Sequence, residues 1–222
     1  MDTENSSSLH IVLCDTLTHP QLATLLARQR AEEPNVKIQV HESSTSSISQ
    51  KFSRGQYDIG ISRSAIVNDR WKAVPLWREA WIVAASIHSS LGRESIVTPA
   101  HLMDFTIIHW DAVFRKASFL ELDTILRSLG NQQPNALQTA LTVDVMMALV
   151  SANYGVTIAP APIVARYQSW GIVGRPLANP SPTTTTYLIH RSNLDPGGRD
   201  GRFIERALSI PWVTHGRLGF DS

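Results

Sequence analysis

Two apolar patterns alternate along the 222 residues, and that alternation limits the fold more than any other feature. Residues 9–14 (LHIVLC) form a short apolar run closed by Asp15 and Thr16, as in a buried strand. A helix is predicted over 18–33. Pro20 sits in its first turn, Leu22, Leu25 and Leu26 form one stripe, and Pro34–Asn35 ends it. Val36, Ile38 and Val40 alternate with Lys37, Gln39 and His41, which is a period-two strand. The hydroxyl-rich stretch 43–49 is ambiguous, but Ile48 and Phe52 suit a short helix closed by Gly55. Residues 57–62 form another buried strand.

Further along, 71–76 and 80–85 are expected as two strands around Trp77, Arg78 and Glu79. A short helix is expected over 99–103, strands over 106–110, 136–143 and 156–159, and a helix over 163–169. Phe119, Leu122, Leu126 and Leu129 mark a long amphipathic helix closed by Gly130. Val145, Met146, Leu149 and Val150 mark another. Strands at 172–177 and 183–191 precede a last helix over 203–208; the run Thr183–Thr186 is β-prone. Strands alternating with helices imply βαβ units, hence an α/β fold with mainly parallel sheets, and enough units for two lobes.

Composition excludes several classes. Apolar residues make up 43%, enough for a sizeable core. The formal charge of +1 lacks the basic excess of a nucleic-acid binder. No stretch approaches the roughly 18 apolar residues of a membrane helix. Residues 1–8 carry no basic or apolar leader pattern and are expected to be a disordered linker remnant, of a shortened or a cut chain. The single cysteine, Cys14, lies in an apolar run and is expected to be a buried thiol, consistent with a cytoplasmic protein.

Chemical motifs are missing. There is no glycine-rich dinucleotide or phosphate loop and no nucleophile elbow. None of the eight histidines forms a His-x-x-x-His pair, so no metal site, cofactor or catalytic residue is nominated. Glu32 and Glu33 are expected to be a solvated charge pair at a helix end.

Three stretches, taken together, resemble the effector-binding domain of LysR-type transcriptional regulators. The first runs from Pro20–Gln21–Leu22 through Glu33–Pro34–Asn35–Val36 to Phe52-Ser-Arg-Gly-Gln-Tyr-Asp-Ile-Gly-Ile61. The second is Val74–Pro75–Leu76 with Glu79, residues 80–85, and Val97-Thr-Pro-Ala-His-Leu102. The third is Leu149-Val-Ser-Ala-Asn-Tyr-Gly-Val-Thr-Ile-Ala-Pro160. Gly55 closes a helix, Asp58 anchors the turn into a strand, and Gly155 lets a helix turn directly into a strand. Asn153 stands where the family has Gly, and Asn tolerates the left-handed conformation. Phe52 replaces a Leu. The likeness spans about residues 9–191.

That resemblance implies two Rossmann-like lobes joined by two crossover strands, like a type 2 periplasmic binding protein. Lobe one would take 9–84 and 187–222, lobe two 85–186. It implies a small-molecule effector in the inter-lobe cleft, a homodimer or tetramer, and no membrane. DNA would be reached only through an N-terminal helix-turn-helix domain that these residues do not include. Ligands of open α/β sheets sit beyond the carboxyl ends of strands, where helix N-termini suit anions. The candidate ligand-binding residues are therefore Thr16, Thr18, Ser43, Ser44, Thr45, Ser62, Arg63, His109, Trp110 and Thr142. Most have a plainer role: Thr16 or Thr18 as cap of the first helix, Ser43 to Thr45 as turn residues, Arg63 in a surface pair, His109 and Trp110 as core, Thr142 as a cap. Two rival functions share the fold, a periplasmic-type solute-binding protein and an enzyme of the prephenate dehydratase or phosphoribosyltransferase kind.

Overall fold

The computed structural model describes residues 8–14, 19–130, 138–178 and 180–211. The chain divides into two compact units. Among the described residues, one holds those up to Arg78 together with those of Thr185–Thr214; the other holds Glu79–Thr184. Among the described residues, no helix is long and apolar enough to cross a membrane.

The first unit is built on four strands. β1 (Ser8–Cys14) pairs in parallel with β2 (Lys37–Ser43) and with β3 (Ile59–Ser62), and β3 pairs antiparallel with β9 (Thr183–Arg191). Ser8 thus opens a strand; the rest of the expected linker, residues 1–7, lies outside the described residues. Period-two alternation sends Leu9, Ile11, Leu13, Ile59 and Ile61 to one face, where α1 (Pro20–Glu32) and α7 (Arg199–Ser209) bury Leu25, Phe203, Ile204 and Ala207. Val12, Cys14 and Ile189 face α2 (Thr45–Ser53) and its Ile48 and Phe52. Cys14 is fully buried, as its apolar run predicts. Gly55 takes φ 68° directly after α2, and Asp58 anchors the entry to β3, accepting the His10 main-chain N–H at 2.9 Å.

In the second unit β4 (Trp71–Ser86) is central and antiparallel to both β7 (Thr157–Pro160) and β8 (Ile172–Pro176). β5 (Ile108–Trp110) runs parallel to β6 (Gln138–Ala140) and joins β7 through an Ile107–Val156 bridge. The core gathers Trp81, Val83, Leu102, Ile107 and Ile158 with Leu122, Ile125 and Leu126 of α4 (Lys116–Ser128). Met146, Met147 and Val150 of α5 (Val143–Ser151) complete it. α3 (Pro99–Leu102) and α6 (Ala161–Ala165) are short.

Several expectations need correction. The sheets are mixed rather than mainly parallel, because β9 returns antiparallel to β3 and β4 runs antiparallel to β7 and β8. The two strands expected over 71–85 are one 16-residue strand. Arg78 and Glu79 do not break it, since alternation exposes the first and buries the second. The cap of α1 is His19, whose Nδ1 accepts from Gln21 N–H at 3.2 Å, rather than Thr16 or Thr18. Val143 belongs to α5 rather than to a strand, and residues 136 and 137 lie outside the described set. The helix expected over 163–169 starts and ends earlier, followed by a 3-10 turn at Gln168–Trp170.

Glycine at 155 answers a close approach, not a turn. Asn153 takes the left-handed turn, at φ 61°. A Cβ on Gly155 would lie 2.3 Å from the Thr106 carbonyl oxygen, whose acceptance of the Val156 N–H at 2.9 Å ties β7 to β5.

Glu32 is exposed, as expected, but Glu33 is largely covered, and both are paired with arginines. Arg206 of α7, nearly buried, donates to Glu32 at 2.5 Å, to Glu33 at 3.0 Å and to the Gln29 side chain. Arg202 donates to Glu33 at 2.5 Å. That Arg202 hydrogen bond, opposed by burial and helped by Arg206, holds the Glu33 carboxyl down at about 2.

Candidate functional site

Strand register brings the first unit's candidates to one edge. Cys14 is opposite Ser43, and Leu13 opposite Ile61, so β1, β2 and β3 end level with one another. Ser43 Oγ accepts from Lys51 Nζ at 2.9 Å. Ser44 is the N-cap of α2 in extended conformation and makes no capping bond, and no acidic residue stands in the first turn. Thr45 is the first residue of α2; its side chain lies outside the described set. Ser62 is fully buried and its Oγ accepts from Ser64 N–H at 3.0 Å. Arg63 follows it, half-buried. Thr16 and Thr18 would continue from β1, but lie outside the described residues.

One residue at this edge escaped the sequence reading. Tyr187 pairs with Ser62, which puts Thr186 one step further toward the same edge. Thr186 is fully buried, and its hydroxyl has no hydrogen-bond partner among the described residues. An unsatisfied buried hydroxyl is costly, so such a group marks a place that water or a ligand completes. The only signal in the sequence was its place in a β-prone threonine run.

The second unit's candidates separate. Trp110 pairs with Ala140 at the ends of β5 and β6. His109 is 2% exposed and packs at 4.2 Å, ring centroid to centroid, on Phe119 of α4. Its Nδ1 lies 3.3 Å from the Trp110 carbonyl oxygen, while Nε2 has no partner among the described residues. Burial pushes its pKa down, so the ring is neutral near pH 7. Trp110 is also buried, and the Arg115 guanidinium lies 5.0 Å above its ring. Thr142 is the N-cap of α5, accepting from Val145 N–H at 3.2 Å. In that first turn Asp144 accepts from the Tyr167 hydroxyl at 2.5 Å; burial, then this bond, raises the phenol's pKa. Among the described residues, no group of three His, Cys, Asp or Glu side chains could hold a metal ion.

This frame of paired α/β units, carrying hydroxyls and helix N-termini at strand ends, coincides with a family model described as the LysR substrate binding domain, which matches residues 2–208. The chain belongs to that family. It is similar to the Hca operon transcriptional activator HcaR of Escherichia coli (strain K12), at 26% identity over 192 residues. That alignment covers 85% of this chain and 64% of the relative. It is also similar to the HTH-type transcriptional regulator SsuR of Burkholderia cenocepacia, at 25% identity over 207 residues, covering 90% of this chain and 62% of the relative. The chain therefore spans less than two thirds of these regulators. In fold it matches the BenM effector binding domain solved with its effector benzoate. The TM-score there is 0.76 at 20% identity, over 94% of this chain and 98% of that one. It also matches the effector binding domain of QuiR in complex with shikimate, with TM-score 0.72 at 19% identity, over 90% and 95%.

Proposed function

We propose that this LysR-family domain is the effector-sensing part of a transcriptional regulator, and that its effector is a small anion held where the strands of the first unit end. One observation carries this reading. The first turn of α2, free of acidic side chains, opens at the same sheet edge as Ser43, Ser62 and the unsatisfied Thr186 hydroxyl. Helix N-terminal N–H groups and hydroxyls suit a carboxylate or phosphate. Benzoate and shikimate, bound by the two fold neighbours, are themselves small organic acids.

Sensing would work through populations. An effector that binds one conformation of the domain more tightly favours that conformation by its differential affinity. The change would pass to DNA through a helix-turn-helix domain in the full-length regulator, acting in a homodimer or tetramer in the cytoplasm. The domain itself would catalyse nothing.

A thermal-shift screen of small carboxylates, with benzoate and shikimate among them, tests the proposal. A ligand at one hundred times its Kd adds about 2.7 kcal/mol, which for a chain of this size raises the melting temperature by roughly 5–10 °C. Ser44→Asp keeps a good N-cap residue yet sets a negative charge at the α2 N-terminus. It should leave the unliganded melting temperature near its original value and abolish the ligand-induced rise. A broad library that produces no rise, or a rise that Ser44→Asp leaves intact, would overturn the reading.

A further inference from the structure

We infer that the first unit carries a second anion site, on the sheet edge opposite the strand ends just described, which takes a small aromatic carboxylate or phosphate monoester. There, the C-terminal end of α2, the start of β4 and the end of β9 surround a surface cavity of about 630 Å³. This lies within the rough range of 300–1,000 Å³ typical of small-molecule sites.

Three arginines line the cavity, Arg54, Arg70 and Arg191, against a single acidic residue, Asp69. None of the three arginines forms an ion pair among the described residues. That departs from the rest of the unit. Arg199 pairs with Asp58 and Asp200, Arg202 with Glu33, and Arg206 with Glu32 and Glu33. Where this unit uses arginine to hold itself together, it supplies a carboxylate; around this cavity it leaves three arginines with one acidic residue.

The floor is apolar and fixed. Phe52 and Trp71 are buried, with ring centroids 4.3 Å apart. The Arg191 guanidinium carbon lies 5.8 Å from the Trp71 ring centroid, and its Nη2 would sit 3.7 Å from a Cβ on Gly55. Gly55, at φ 68°, thus leaves open backbone under that guanidinium. The rim is tied down too: Asn68 Oδ1 accepts from the main-chain N–H groups of Arg70 and Trp71 at 2.9 and 3.0 Å, and Ser192 N–H donates to the Arg70 carbonyl at 2.8 Å. Planar guanidiniums grip carboxylate or phosphate oxygens in pairs, and their faces stack on flat rings. A ligand with one anionic group and one ring uses both properties.

The test is a titration of the isotope-labelled chain with phenyl phosphate, with benzoate and inorganic phosphate as separate arms. The Trp71 indole N–H and the Gly55 and Ser192 amides should shift together and saturate with phenyl phosphate or benzoate. Inorganic phosphate should bind about tenfold more weakly, lacking a ring to stack. Arg191→Gln and the pair Arg54→Gln/Arg70→Gln should each weaken binding by about tenfold or more. All three arginines are exposed, so the unliganded melting temperature should hold. Arg127→Gln, the same charge change in the other unit, and Ser44→Asp should both leave binding intact. Shifts confined to Ser44 and Ser62, affinity unmoved by Arg191→Gln, an equal loss with Arg127→Gln, or equal affinity for inorganic phosphate would each overturn the inference.

Discussion

Replacing Arg206 with alanine is expected to cost about 3–5 kcal/mol of folding stability, the range for removing one partner of a buried ion pair. The side chain is 6% exposed and bridges α7 to three groups on and after α1. Without it, Gln29, fully buried, loses the donor to its carbonyl, and Glu33 keeps only Arg202. Exposed pairs such as Arg28–Glu32 are screened by water and contribute far less. Urea unfolding of Arg206→Ala reads the difference directly; a loss below 1 kcal/mol would mean that the network is ornamental. The same cluster sets an acid dependence. Glu33 has a folded pKa of about 2 against an ordinary 4.5. Its contribution is therefore complete above pH 4.5 and drains away as pH falls toward 2. After discounting for solvent screening this amounts to about 1–2 kcal/mol. Glu33→Gln should flatten that part of the stability–pH curve and leave its neutral side level.

Phe52→Ala is expected to cost about 3–5 kcal/mol, as for other buried aromatic truncations. The ring is 1% exposed and packs on Trp71, on Tyr57 at 6.1 Å, and on the bare backbone of Gly60. A Cβ at Gly60 would lie 2.7 Å from Phe52 Cζ, so the absent side chain at 60 is what admits the ring. Phe52→Leu keeps most of the volume and should cost less than about 1.5 kcal/mol. Gly60→Ala should destabilise the parent strongly and the Phe52→Leu background less, a coupling that a double-mutant cycle measures. Additive losses would show that 52 and 60 do not share this space.

Local signals were legible in the sequence. The run 9–14, the helical stripe of Leu122 and Leu126, and the left-handed Gly55 and Asn153 all follow from patterns a few residues long. What distance brings together was not. Glu33 finds Arg206 only because β9 carries the chain back and delivers α7 beside α1. His109 looked like a strand-end polar group, but a three-residue strand turned it under Phe119. Arg78 and Glu79 suggested a break because polar pairs often mark loops, whereas a long strand tolerates them on alternating faces. At the candidate site, the serines were visible as strand-end hydroxyls, while Thr186 becomes their neighbour only through antiparallel pairing with β3.

The division of the chain also has a temporal side. Among the described residues Glu79–Thr184 is one uninterrupted stretch, whereas the sheet of the other unit waits for the rest of β9 and for α7, which follow it. During synthesis from the N-terminus the inserted stretch is complete first, and the earlier strands remain with an open edge at β3 until the last part emerges. A nascent chain stalled when about residue 185 has just cleared the ribosome should therefore display a protease-resistant 79–184 fragment beside a still cleavable N-terminal segment. The unit whose first strands emerge earlier is the last to close.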